Sequence, residues 1–242
     1  MYIIKLNAID STNAYLKDMI SAVLPKDFTV VIADNQTGGR GQMGTIWQTE
    51  TGKNLTASVF KLIPKLKVED QFYISMAVSV AIYKSLETFK IPQLSVKWPN
   101  DILSADKKLC GTLIENVIKS NKFEGSIIGF GLNINQKYFE NLPKASSMSL
   151  IAGQLFDKNE VFLEILKQLK IQLNLLTTEK FAQIKDQYET SLFRKDKPST
   201  FKTKGKMFSG IIKGVTNTGQ LNVWTEDAII KTFNLKEVTL LY

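Results

Sequence analysis

The apolar positions along this chain change their period several times, and each change marks an element. The run from Tyr2 to Ile9 predicts a short strand. Asp10-Ser11-Thr12-Asn13 then offers capping side chains ahead of Tyr15, Leu16, Met19, Ile20 and Val23, which fall on one helical face. Phe28 to Ala33 is β-branched and predicts a strand, as does Asn54 to Lys61; between them lies a glycine-rich segment, Gln36 to Gly44. Residues 68–88 carry Phe72, Met76, Val80 and Tyr83 at helical spacing, and strand signals return from Leu94 to Asn133, including Lys108 to Lys119 and Gly125 to Leu132. Asp157 and Glu160 form a capping-box signature before Val161, Phe162, Ile165, Leu166, Leu169 and Leu173. Phe181, Ile184, Tyr188 and Leu192 mark the next helix. Past residue 194 short stretches are broken by Gly205, Gly210, Gly214 and Gly219, with Asn217-Thr218-Gly219 as a hairpin loop. The pattern predicts an α+β domain over 1–194 and a small all-β module over 195–242.

Composition narrows the chemistry mainly by what it lacks. There is no histidine, which removes Ser-His-Asp and Cys-His nucleophilic machinery and HExxH zinc sites. The single cysteine, Cys110, leaves no intramolecular disulfide and no cysteine-cluster metal site. An enzyme made from these residues works by positioning and electrostatics, with oxygen-liganded Mg²⁺ as the fitting metal. No apolar run approaches the roughly 20 residues that span a bilayer, and no secretory leader is seen, so the chain reads as cytoplasmic and free of membrane. Thirty-one basic residues against 23 acidic ones give a net charge of +8, a field that favours nucleotides, nucleic acid or an acidic protein. Arg194, Lys195, Lys197, Lys202, Lys204 and Lys206 cluster near the domain junction. A solvated linker face fits them as well as contact with a phosphate or an acidic carrier does, with nucleic acid a lesser alternative.

Three segments are candidates for chemistry. Gly39-Arg40-Gly41-Gln42-Met43-Gly44 satisfies GxGxxG, but Trp47 and a strand follow where a dinucleotide fold needs a helix. A phosphate-binding Walker loop fails too, because Gly52-Lys53 is followed by Asn54. What remains is a loop with backbone N–H groups, one arginine and an aromatic residue beyond it, suited to an anionic, planar ligand such as an adenylate; a mobile surface loop with Trp47 in the core is the alternative. Lys97-Trp98-Pro99-Asn100-Asp101 sits at a strand end, where Lys97 projects into a cleft or is merely a solvated lysine on a turn. Gly129 and Gly131 lie in a strand ahead of Asn133 and Asn135, which marks a close backbone approach by a ligand or a bulge.

Taken in order, Ser11-Thr12-Asn13, Gly39-Arg40-Gly41 with Gly44 and Trp47, Lys97-Trp98-Pro99-Asn100-Asp101, Lys107-Lys108-Leu109-Cys110-Gly111 through Glu115, and Gly129-x-Gly131-x-Asn133 resemble the biotin–protein ligase family over nearly the whole chain. The family resemblance implies a class II synthetase-like ligase domain, a mixed or antiparallel sheet flanked by helices, and a small C-terminal SH3-like β-barrel. Ser-Thr-Asn comes only ten residues in, so the resemblance is to the monofunctional form without an N-terminal DNA-binding domain, and DNA is not an expected partner. Such ligases join the carboxylate of biotin to the α-phosphate of ATP, then pass biotin from the adenylate to a lysine of a biotin carboxyl carrier protein domain. Monomers and homodimers are both compatible with it.

Carried over residue by residue, the resemblance implies that Ser11, Thr12, Asn13 and Gln36 serve the ureido head of biotin, with Gly111 also in the biotin pocket. Arg40 with Gly39 and Gly41 would hold the carboxylate and later the adenylate, and Lys97 would counter the charge at carboxylate and α-phosphate, making Arg40 and Lys97 the catalytic pair. Trp47 would pack beside the adenine, with Gln42, Asn100 and Asn133 also on the nucleotide. Mg²⁺ is the expected cofactor alongside the substrates ATP and biotin, and Asp101 is its candidate contact. Lys108 fits a phosphate contact and a plain surface lysine equally. Many members carry arginines where this chain has Gln42 and Thr45, so phosphate stabilisation is expected to rest more heavily on Arg40, Lys97 and metal, charge-assisted bonds being about twice as strong as neutral ones. Two rivals remain: a lipoate ligase or octanoyltransferase, disfavoured by the KWPND segment and the polar Ser-Thr-Asn opening, and a basic nucleic-acid-binding module, for which no aromatic-rich basic β-motif is present.

Overall fold

The computed structural model describes residues 1–120 and 122–242, and of these all side chains but that of Met43. Seven strands form a mixed sheet: β1 (Tyr2–Ile9), β2 (Thr29–Gln36), β3 (Leu55–Leu62), β4 (Leu94–Lys97), β5 (Asp101–Ser104), β6 (Lys107–Lys119) and β7 (Lys122–Leu132). Their order is β1-β2-β3-β7-β6-β5-β4; β1 and β2 run parallel and every other neighbouring pair antiparallel. The fold class expected from the sequence, a mixed sheet flanked by helices, is therefore the one observed.

Strand alternation decides what each face of the sheet meets. On β7, Ile128, Phe130 and Leu132 join the main core, while Ile127 belongs to a second cluster with Leu16, Val31 and Phe60. The main-core face is covered by α2 (Phe72–Thr88), α4 (Lys158–Thr177) and α5 (Phe181–Thr190). Helix α2 is buried on most of its positions, including Ile74, Met76, Val78 and Ile82, because it lies between the sheet and α4 and α5. Among the described residues the helix on the opposite face is α1 (Thr12–Ala22), docked through Leu16, which leaves part of the central strands for a site. Asp157 caps α4 through hydrogen bonds from the N–H groups of Asn159 and Glu160, 2.7 and 2.8 Å.

Several boundaries differ from the expectations. Val23 is the exposed residue after α1, because the helix ends before its apolar stripe does. Residues 68–70 form a 3-10 turn, so the helix begins at Phe72; Leu192 lies beyond α5, packed under β4. A five-residue helix, α3 (Met148–Ala152), was not foreseen; it is too short for a period, and its signals are the Ser147 cap and Gly153 in a left-handed conformation.

A second, antiparallel sheet follows, built from β8 (Pro198–Thr203), β9 (Lys206–Val215), β10 (Leu221–Thr225), β11 (Ile230–Phe233) and β12 (Thr239–Leu241) in the order β11-β10-β9-β8-β12. The expected 217–219 hairpin loop joins β9 to β10, with Gly219 at φ +89°. Phe201, Ile212, Leu221 and Val223 are continuous with the main core. Two polar contacts seat this sheet on the first unit: Trp98 Nε1 donates to the Gly219 carbonyl at 2.9 Å, and Glu189 on α5 accepts from the Val215 N–H at 2.9 Å. The segment that leads into it is held along β4, where Val96 N–H donates to the Ser191 carbonyl and Phe193 N–H to the Val96 carbonyl, each at 2.8 Å. A Cβ on Gly219 would lie 2.2 Å from the Phe72 ring, so this loop touches α2 directly.

Candidate active site

On the open face of the large sheet lies a cavity of about 670 Å³, within the ordinary range for small-molecule sites. Its lining gathers residues from every segment singled out above: Ser11, Thr12, Asn13, Gln36, Arg40, Gly41, Gln42, Trp47, Lys97, Asn100, Asp101, Lys108, Gly111 and Asn133. Gly39 is the expected site residue that does not line it. Buried behind the loop, Gly39 is fixed by contact instead, since a Cβ there would meet the Trp47 carbonyl at 2.4 Å.

One end of the cavity is a polar network at the start of α1, its lining side chains uncharged. Gln36, at the end of β2, accepts from the Thr12 N–H and hydroxyl at 2.8 and 3.0 Å. The Ser58 hydroxyl on β3 lies 2.7 Å from the Thr12 hydroxyl and 2.6 Å from Asn13 Oδ1. Asn13 in turn donates to Glu115 at 2.7 Å and to the Leu113 carbonyl at 3.3 Å. Ser11 caps α1 and is buried. These groups are held by one another, so donors and acceptors are fixed before any ligand arrives.

The glycines explain how the network and Trp47 reach the sheet. A Cβ on Gly129 would stand 2.2 Å from Asn13 Oδ1, and one on Gly131 would stand 2.3 Å from the Trp47 ring. The close approach that these strand glycines signal is thus made by the protein's own side chains, and neither is a bulge. Trp47 also packs near Gly111, with Lys108 Nζ 5.6 Å from its ring centre. Its indole N–H is buried with no partner among the described residues. The glycine loop itself folds back as a small hairpin: Gly41 N–H donates to Thr45 at 2.7 Å, Trp47 N–H to Gly39 at 2.9 Å, and the Thr45 hydroxyl to Gln42 at 2.9 Å. The Gly41 N–H, expected to face a ligand, is therefore engaged within the loop, and Thr45 acts as its latch.

The other end of the cavity is cationic. β4 and β5 are joined by the Trp98-Pro99-Asn100 turn, with a cis Trp98–Pro99 bond. The Tyr188 hydroxyl donates to the Pro99 carbonyl at 2.8 Å, and buried Asn100 donates to the Thr112 carbonyl. This turn presents Lys97 half-buried, and burial holds its ammonium below the ordinary lysine pKa; Asp101 opposes that shift and Lys108 adds to it. Lys108 is paired with Asp101 at 2.7 Å, the one carboxylate in the lining. Arg40, Lys97, Lys144 and Lys236 line the cavity with no ion pair among the described residues. Buried Asn133 spends its amide N–H on the Ser146 carbonyl at 3.0 Å. Cys110 is buried in β6, and burial drives its thiol well above the ordinary range, in keeping with an inert strand residue.

The profile of the biotin/lipoate A/B protein ligase family matches residues 6–133, more than half of the chain and every one of the motifs above. The chain belongs to that family. Among ligases of this family, the bifunctional ligase/repressor BirA of Bacillus spizizenii is 28% identical over 238 residues, covering 96% of this chain and 72% of its own length. The biotin–[acetyl-CoA-carboxylase] ligase of Paracoccus denitrificans is 26% identical, covering 88% of this chain and 90% of its own. A structure of the biotin protein ligase from Aquifex aeolicus in complex with biotin and ATP is 27% identical with a TM-score of 0.82, covering 99% and 98% of the two chains.

Among the residues of this ligase-family cavity and its supports that the sequence does not single out as site residues are Ser58, Glu115, Lys144, Lys236 and Tyr242. Ser58 sits in a strand that reads as pure core, and Glu115 reads only as the end of a motif. Lys144, Lys236 and Tyr242 reach the cavity from the 139–145 loop and the end of the second sheet, segments without a period or motif to flag them.

Proposed function

We propose that this chain joins biotin to ATP, giving biotinyl-5′-adenylate and pyrophosphate, and then transfers biotin to a lysine of a biotin carrier protein domain. The observation that carries this reading is the polarity of this cavity. A preset hydrogen-bonding end built on Thr12, Asn13, Gln36 and Ser58 suits a ureido ring; Arg40, Lys97, Lys144 and Lys236, which form no side-chain ion pair among the described residues, suit a carboxylate and a polyphosphate. The ligands named for the related Aquifex ligase, biotin and ATP, agree with that division.

In the first step a biotin carboxylate oxygen bonds to the α-phosphorus while pyrophosphate leaves with the P–O bonding pair. Two anions must approach, so the barrier is largely electrostatic, and fixed cations in a partly desolvated site lower it. Lys97, carried on the rigid β4–β5 turn, is the group we place against the carboxylate and α-phosphate, with Arg40 opposite on the glycine loop. In the second step the carrier's amine attacks the acyl carbon, AMP leaves and a proton is released. No covalent enzyme intermediate is required, which agrees with a buried, inert Cys110.

Mg²⁺ is proposed as the accompanying ion. It typically uses one or two protein carboxylates plus substrate phosphates, and Asp101 in the cavity wall fits that limited role. Bound with ATP, it would supply charge neutralisation on the phosphates. We also propose 1–194 as the ligase domain and 195–242 as the SH3-like module.

The test is biotin-dependent exchange of labelled pyrophosphate into ATP. Lys97→Ala and Arg40→Ala are each expected to lower the exchange rate by about 10² or more, the usual loss for one preorganised charge-stabilising donor. Exchange supported by lipoate and not by biotin, or exchange indifferent to both substitutions, would contradict the proposal.

A further inference from the structure

Lys97 and Lys144, which form no side-chain ion pair among the described residues, share a neighbour that the glycine loop and the KWPND turn do not supply. Tyr242 follows β12 on the second sheet and lines the cavity. Its ring centre lies 5.0 Å from Lys97 Nζ and 3.7 Å from Lys144 Nζ, and its backbone oxygen accepts from Lys144. Phe193 packs edge-on against the same ring at 5.0 Å and fixes its plane. The contrast with Lys108 is informative. Asp101 positions Lys108 but also neutralises it, at 2.7 Å. An aromatic face attracts an ammonium through its quadrupole and leaves the full positive charge available to an incoming anion.

We infer that Tyr242 is a positioning residue that holds Lys97 and Lys144 side by side at the cavity wall, and that Lys144 contributes to the polyphosphate the charge that Gln42 and Thr45 do not. The inference rests on the adenylation reading above and extends it to a residue of the second sheet. It also gives that sheet a task in the first half-reaction: it carries the ring that arranges two lysines of the large sheet's cavity. The Lys144 end reaches into the 139–145 loop, so one side chain ties together the KWPND turn, that loop and the second sheet.

The experiment is a double-mutant cycle in biotin-dependent pyrophosphate exchange, with ATP varied and thermal unfolding followed in parallel. Tyr242→Leu is expected to raise the KM for ATP roughly five- to tenfold, between the values for an exposed and a desolvated cation–π contact, with a much smaller fall in kcat. Lys144→Met is expected to do the same, and the double variant to be no worse than the poorer single, because both remove one arrangement. Tyr242→Phe keeps the ring and is expected to recover most of the loss. A packing role alone would instead lower Tm and kcat and combine additively with Lys144→Met. Additive effects, Tyr242→Leu within twofold of wild type, or Tyr242→Phe as impaired as Tyr242→Leu would each overturn the inference. A wild-type chain with no biotin-dependent exchange would overturn the adenylation reading and this inference together, whereas an active wild type with an unaffected Tyr242→Leu overturns this inference alone.

Discussion

Lys97 owes its value to a conflict between burial and charge. Desolvation lowers its pKa, Asp101 raises it and Lys108 lowers it further, so the free protein holds a strained ammonium beside an anion-binding cavity. The protonated form is the one that can counter phosphate charge. Because the folded-state pKa is depressed, that form is lost as pH rises, at a lower pH than for a free lysine. Bound ATP adds negative charge and pushes the pKa back up. The alkaline limb of kcat/KM for ATP, which reports the free protein, is therefore expected below the ordinary lysine range, and the limb of kcat at higher pH. A pH–rate series on wild type and Lys97→Arg checks this: in Lys97→Arg the alkaline limb should vanish, since arginine does not titrate there. Of the residue-level chemistry, Arg40, Lys97, Gln36 and the Ser-Thr-Asn cap were legible because each stands inside a recognisable local pattern. Lys144 and Tyr242 were not, because what defines them is proximity across the fold.

At the level of elements, helices and strands with a clear period were legible, and their ends were not. The capping residues Ser11 and Asp157 stood out because a side-chain oxygen before an apolar face has a specific use, satisfying free N–H groups. The 3-10 turn at 68–70 and the short α3 were hidden, since neither is long enough to express a period. The strand glycines carried a true signal, and the register excludes the bulge: Gly129 and Gly131 line the cavity and also admit Asn13 and Trp47 against the strand. That assignment has a consequence. An alanine at 129 would place its Cβ 2.2 Å from Asn13 Oδ1, and Asn13 is tied to Ser58, Glu115 and the Leu113 carbonyl. Gly129→Ala should thus push α1 and its network off β7. The expected result is a rise of about tenfold or more in the KM for biotin with the KM for ATP little changed, and a stability loss of roughly 1–3 kcal/mol, typical of overpacking. Steady-state kinetics with each substrate varied, beside urea unfolding, measure both.

For the molecule as a whole, the α+β class and the second, all-β sheet were legible from the change in pattern near residue 194, while the seating of one sheet on the other was not. Trp98 reads as part of a motif, yet its N–H is spent on Gly219 more than a hundred residues away, and Phe72 reads as helix core, yet it meets the same loop. Through these contacts the second sheet brings Lys236 and Tyr242 to a cavity whose other walls come from the first. The basic cluster near the junction is partly structural: Arg194 donates to Ser199 at 2.8 Å and to the Pro198 carbonyl at 2.6 Å. No helix among the described residues is long and apolar enough to cross a membrane. The net charge of +8 in a fold with a cationic cavity favours approach of anionic substrates and of an acidic carrier surface. The most direct test of the central claim is mass spectrometry of a biotin carrier domain after incubation with this protein, ATP, Mg²⁺ and either biotin or lipoate. A biotin-sized increment on one lysine, absent when ATP is withheld, is the expected result; a lipoyl increment, or no modification with biotin, would contradict it.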